Sequence, residues 1–448
     1  MLDPNAALDR LDHAIARAKA LGADAADGVY FGDMSSSVHV RLGALEDIGR
    51  SEAEEIGIRV FIGHQSANVS SSDLSAAALA AAAERAVAMA REAPEDRYAG
   101  LAPAERLTKG PWAALDIDDG ADIAVEALRA RALAAEDAAR AVEGVSNSQG
   151  ASASTGRAVY ALATSHGFAG AYSGSSYGVS ASIIAGTGDT MQRDYAYHSA
   201  RHDADLEAPE AVGRLAGERA VSRLSPAKLA TGAMPVVFDP RVAGSLIGHF
   251  VGAISGSAIT RGTSFLKDAL GEDIFPQGIA IIDDPLRVRG LRSRPFDGEG
   301  LPTACTRLVD SGRLTGWLLD SASARQLGSS PSGHASRGVS GPPGVSTSNL
   351  YMEAGAQSRR ALIADIRRGV LVTELIGQGV NAVTGDYSRG AAGFLIEDGE
   401  IAGPVAEITV AGNLKSMFLN LTPADDLVFR YAVNAPTLRI EGMTVAGA

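Results

Sequence analysis

His198-Ser-Ala-Arg-His202, followed by Asp203 and Asp205, is the chain's one histidine pair at i, i+4 spacing. On a helix this spacing puts two imidazoles on one face, the arrangement a metal ion uses. Position 199 is Ser, so the pair lacks the Glu of an HExxH motif. The preceding RDYAY alternates like a strand running into a turn, and a hydrogen-bonded turn is the expectation there. A third histidine, His249, sits inside GSLIGHFVGAISG, where Gly244, Gly248, Gly252 and Gly256 recur every fourth residue. Four-residue spacing aligns them on one helix face. Each costs about 1 kcal/mol relative to Ala in a helix interior. The expectation is therefore that the glycine stripe packs against another backbone, since glycine permits that close approach.

Two polar runs carry further candidates. In Gly385-Asp386-Tyr387-Ser388-Arg389-Gly390, Asp386 and Arg389 are placed to pair and Tyr387 to stack on a ligand. The run reads as a loop facing peptide or a partner. GHASRG, at Gly333 to Gly338, reads as a flexible loop offering His334 and Arg337. No GxSxG elbow marks a nucleophilic serine. GQGVNAVTG lacks the strand and helix context of a phosphate-binding loop. The single cysteine, Cys305, excludes a disulfide framework and a Cys-rich zinc site.

The elements that must position these residues follow from periodicity. Residues 5–21 repeat apolar positions at helical spacing, and SDLSAAALAAAAERAVAMAREA is a helix capped by Asp73 or Ser72. Further helices are expected near 123–142 and 209–224. VHVRLGALEDIGRS and GIRVFIGHQSANVSSS alternate as strands, and the Ser/Ala/Gly/Tyr-rich stretch 145–189 reads as an antiparallel meander. Beyond residue 262 short strands dominate. VDSGRL and IEDGEI carry Asp-Ser-Gly and Asp-Gly hairpin signals. The fold class expected is α+β: an N-terminal mixed α/β region of residues 1–228 with a Pro-rich connector near 94–115, then a mostly antiparallel β domain of residues 229–448 with one Gly-striped helix.

The chain has 448 residues, 46% hydrophobic and 21% charged, with a net charge of −13. An acidic surface repels phosphate backbones, so no nucleic-acid partner is expected. No apolar run is long enough to span a bilayer, and the N-terminus reads as an amphipathic helix. Cytoplasmic localisation is the expectation.

The runs RDYAYHSARHDADLEAPE, HFVGAISGSAI, LRSRPFDGEGLPT, GHASRG and LVTELIGQGVNAVTGDYSRGAAGFLIEDGEI resemble the PmbA/TldE half of the TldD/TldE metallopeptidase family, and the likeness covers nearly the whole chain. Family members carry the labels metallopeptidase and modulator of DNA gyrase. The catalytic TldD half bears HExxxH on the matching helix, with a distant Cys completing its zinc site. The resemblance places Gly248, His249 and Ala253 at those three positions, and residues 421–448 contain no Cys. It implies no metal and no catalytic residue on this chain, with zinc on a TldD-like partner subunit. The expected role is that of a non-catalytic subunit of a heterodimer that cleaves unfolded or extended peptides. Two alternatives stay open. One is a stand-alone peptidase, with or without a metal held by His198, His202 and His249. The other is a homodimeric peptide-binding protein without catalysis.

Overall fold

The computed structural model describes residues 1–447. Six strands form one antiparallel sheet: β1 (Ala25–Arg41), β2 (Ala44–Ile62), β3 (Gln65–Ser71), β4 (Val145–Thr164), β5 (Ala169–Ala185) and β6 (Gln192–Ala200), in the order β3-β2-β1-β4-β5-β6. Four helices lie on one face of it. α1 (Pro4–Ala20) and α2 (Ala76–Glu92) share a core with Tyr30, Ile58 and Val159. α3 (Val125–Arg140) and α4 (Pro209–Ser222) share a second core with Val38, Ala153 and Ile183. Both core sets take the same parity of β1, so both helix pairs cover the same face at opposite ends of the long strands. The other face, carrying the paired Val29 and Leu162, packs on Phe168 and Phe296 with Trp112 alongside.

The second half is built on β7 (Gly232–Phe238), β8 (Arg368–Ile376), β9 (Asp386–Glu397), β10 (Glu400–Asn413) and β11 (Leu438–Ala446). β10 pairs with β9, β9 with β8, β8 with β7, β7 with β11, and β11 again with β10, which closes a five-stranded barrel. The β9–β10 hairpin turns at Asp398-Gly399, both with positive φ (47° and 80°), as a two-residue type I′ turn requires. Helix α5 (Pro240–Ala253) leaves β7 directly, with Asp239 capping it and Pro240 in its first turn. Ala243, Leu246, Ile247, Phe250 and Ala253 of α5 join Val236, Val372, Tyr387 and Val410 of the barrel in a single core.

Candidate functional site

The glycine stripe divides. Gly244 and Gly256 are closely packed: an added Cβ would meet the Val433 carbonyl oxygen at 3.0 Å in the first case and the Ser323 side chain in the second. Gly256 also lies beyond the end of α5, opening the short helix α6 (Gly256–Thr260). Gly248 and Gly252 are exposed, and nothing lies within 4 Å of an added Cβ at either. The expectation of a continuous packed stripe is corrected at these two positions. The apolar stripe of α5 already buries its other face, so the glycines point outward. Their effect is to leave a shelf of bare helix backbone.

The polar run 385–390 is not a loop. From Asp386 it is β9, with Asp386 and Ser388 exposed and Tyr387 and Arg389 buried. That period of two separates the expected Asp386–Arg389 pair onto opposite faces. Asp386 instead accepts from Thr384 Oγ1 at 2.7 Å and Asn413 Nδ2 at 3.0 Å, which hold its carboxyl below the usual range. Ser388 N–H donates to the Gly379 carbonyl oxygen at 2.7 Å. Tyr387 is inside the core and packs edge-on to His249, with ring centroids 6.0 Å apart. Burial pushes the Tyr387 phenol up to about 12, and the nearby Arg389 opposes that.

Burial, reinforced by Arg389, pushes the His249 imidazole below its ordinary value. His249 Nε2, Tyr387 Oη and Arg389 Nε are all buried without a hydrogen-bond partner. Of the three positions that match HExxxH, Gly248 and Ala253 offer no side-chain donor atom. A catalytic zinc needs about three protein ligands. Among the described residues, no three His, Cys, Asp or Glu side chains come together as such a set. Beside His249 stands a guanidinium, which repels a cation. The residues present do not fit the metal.

The other histidines lie in separate networks. His198 Nδ1 accepts the Glu207 N–H at 3.1 Å at the end of β6. His202 Nε2 lies 2.8 Å from the Asp116 carbonyl oxygen and 3.1 Å from its carboxylate. His334 and Arg337 are buried at 3% and 4% exposure, so GHASRG is not a flexible offering loop. His334 sits between Ser332 Oγ (3.0 Å) and Asp283 Oδ2 (3.4 Å).

Arg337 reaches across the seam between the two halves to Asp27 on β1, at 3.2 Å. Asp27 is also gripped by Arg59 of β2. Burial pushes the Asp27 carboxyl up, but the two guanidiniums outweigh it and hold it below its usual value. The same seam holds Asp297 and Glu299, both of which escaped notice in the sequence. Glu299 is 5% exposed and accepts the Ser321 N–H and hydroxyl at 2.8 and 2.7 Å. Burial and the charge of Asp297 push its carboxyl from 4.5 to about 7.

Between those values the folded protein holds a proton that the unfolded chain has lost. The contribution of Glu299 to stability therefore falls as pH rises from 4.5 to 7, by an amount on the order of 3 kcal/mol, and stays low above that. Glu299→Gln keeps an oxygen for Ser321 and removes the charge. It should melt above the parent protein at pH 8 and close to it at pH 5. An equal offset at both pH values would show that Glu299 is not protonated in the fold.

Residues 35–90, 118–224 and 231–447 match PmbA/TldA metallopeptidase domain 1, central domain and C-terminal domain. The chain is 38% identical over 443 residues to metalloprotease PmbA of Escherichia coli O157:H7, covering 98% of this chain and 96% of that one. It is 39% identical over 413 residues to the metalloprotease PmbA homolog of Haemophilus influenzae, covering 92% and 90%. A Bacteroides thetaiotaomicron structure, described as a candidate modulator of DNA gyrase, superposes with a TM-score of 0.90 at 27% identity, covering 98% of both chains. TldE of Thermococcus kodakarensis superposes with a TM-score of 0.87 at 21% identity, covering 97% and 99%, a likeness of fold alone.

Proposed function

The chain belongs to the PmbA/TldD metallopeptidase family, and from that membership we propose that it is the family's non-catalytic, TldE-type subunit, binding extended peptide beside a TldD-like subunit that carries the zinc. One observation carries the reading. On the helix where the resemblance expects HExxxH, the exposed face offers two bare glycines, and the one histidine lies against Tyr387 and Arg389. A helix face without side chains lets a second backbone lie close to it, which suits an extended peptide. Neither zinc nor any catalytic residue is assigned to this chain. No helix among the described residues is long and apolar enough to cross a membrane.

Gly252→Leu separates groove from packing. A Cβ there meets no neighbour within 4 Å, and Leu is the better helix former by close to 1 kcal/mol, so the variant should melt at or above the parent temperature. It should also obstruct the shelf and weaken binding of a fluorescein-labelled extended peptide by about tenfold, the scale of one lost contact group. Unchanged binding in a folded Gly252→Leu protein would place the peptide elsewhere.

A further inference from the structure

A cavity of 360 Å³ opens at the other end of the same face of α5, where the helix meets β8, β9 and the edge strand β6. Arg241, Ser245, Thr373, Glu374, Arg389 and Asp194 are among the residues that line it. Thr373 is the extra residue of a bulge in β8, a device that re-aims side chains beside binding sites.

The charges here do not balance. Glu374 takes Arg193 at 3.4 Å and Arg223 at 2.6 Å. Asp194 takes Arg241 at 2.9 Å and Arg223 at 3.5 Å. Arg241 also lies 3.8 Å from Asp239, which takes Arg359 at 3.3 Å, so four guanidiniums and three carboxylates form one network. Arg389 stands outside it. It is 8% exposed, its Nε has no partner, and it makes no ion pair among the described residues. A buried, unpaired guanidinium is costly to the fold, a cost that an anion bound beside it would offset. The planar fork of Arg matches a carboxylate with two parallel hydrogen bonds. The neighbouring carboxylates of Glu374 and Asp194 disfavour a doubly charged phosphate. The hydroxyls of Ser245 and Thr373 line the cavity and donate to the Val242 and Ala392 carbonyl oxygens at 2.7 and 3.5 Å.

We propose that Arg389, flanked by Ser245 and Thr373, is a carboxylate-binding site that anchors one end of the peptide lying along α5. This rests on the peptide-binding reading above. From Ser245 to Gly252 the helix rises about 10 Å, the span of three extended residues. A peptide anchored at Arg389 thus runs its preceding residues over the shelf of Gly248 and Gly252. The carboxylate is either the peptide's C-terminus or an Asp or Glu side chain near it.

Fluorescence anisotropy on the full chain tests this with three labelled Ser/Ala peptides of equal length: a free C-terminal acid, its amide, and an amide with Glu as the last residue. The free acid should bind about tenfold or more tighter than the plain amide, as expected for a charged hydrogen-bonded pair. If the Glu-containing amide recovers the affinity, side-chain carboxylates are accepted too; if it does not, the site is specific for the terminus. Arg389→Gln should erase the difference between acid and amide, and Arg389→Lys should keep part of it. Arg389→Gln removes an unpaired buried charge, so it should melt no lower than the parent. Equal binding of acid and amide by the unmodified protein would overturn the proposal, as would a preference that survives Arg389→Gln, or a large fall in melting temperature. Failure of all three peptides to bind would overturn the peptide-binding reading itself, whereas binding blind to the carboxylate overturns only the anchor.

Discussion

Incubated alone with an extended peptide, the purified protein should release no fragments; mixed with a zinc-bearing TldD-like subunit, it should raise cleavage roughly tenfold or more above that subunit alone, the scale that positioning a substrate contributes. Hydrolysis of a peptide at neutral pH needs a water made nucleophilic, and a metal does this by lowering its pKa to about 7. On α5 the donor set for such a metal is one histidine, pushed toward its neutral form by burial and by Arg389. His249→Ala should therefore leave the mixed rate within about twofold of the parent, a difference of well under 1 kcal/mol. Chelator should abolish the mixed activity. One zinc per chain in the isolated protein, lost on His249→Ala, would refute the assignment, and so would cleavage by the isolated chain at the mixed rate.

The largest loss of stability is expected at the seam. Asp27→Ala removes the one carboxylate that Arg59 and Arg337 share, leaving two buried guanidiniums without it. Breaking a buried ion pair in this way costs about 3–5 kcal/mol. Arg337→Ala should cost less, because Asp27 keeps Arg59. Chemical denaturation of the three proteins orders them directly. If Asp27→Ala unfolds at the parent's midpoint, the network does not hold the two halves together. Nearby contacts agree with its importance: Arg325 donates to the carbonyls of Tyr98, Gly100 and Leu101, tying the connector to the second half.

Local rules were legible in the sequence because they act over a few residues. The helices of residues 4–20, 76–92, 125–140 and 209–222 follow from apolar positions repeating at 3.6, and the long strands from alternation. The hairpin at Asp398-Gly399 follows from the positive φ that its turn demands. The α+β class and the family likeness were likewise carried by continuous runs. Alternation is also present in Asp386-Tyr387-Ser388-Arg389 and marks it as strand, against the loop that its polar residue types suggest.

What the sequence could not decide was which face of a regular element finds a partner. Four glycines at one spacing looked alike, yet Gly244 meets Val433 while Gly248 and Gly252 meet nothing, because the opposite face of α5 carries the larger apolar side chains and took the core. His334 and Arg337 looked free in a loop of Gly and Ser. They are buried because tertiary packing brings Asp283 beside one and Asp27, 310 residues away, beside the other. Charge pairing of this kind depends on Coulomb terms that matter only after burial has removed water, so no local pattern announces it. The isolation of Arg389 is likewise a tertiary fact. It follows from three other guanidiniums claiming Glu374 and Asp194, residues that come from opposite halves of the chain and meet only once the barrel has closed against the first sheet.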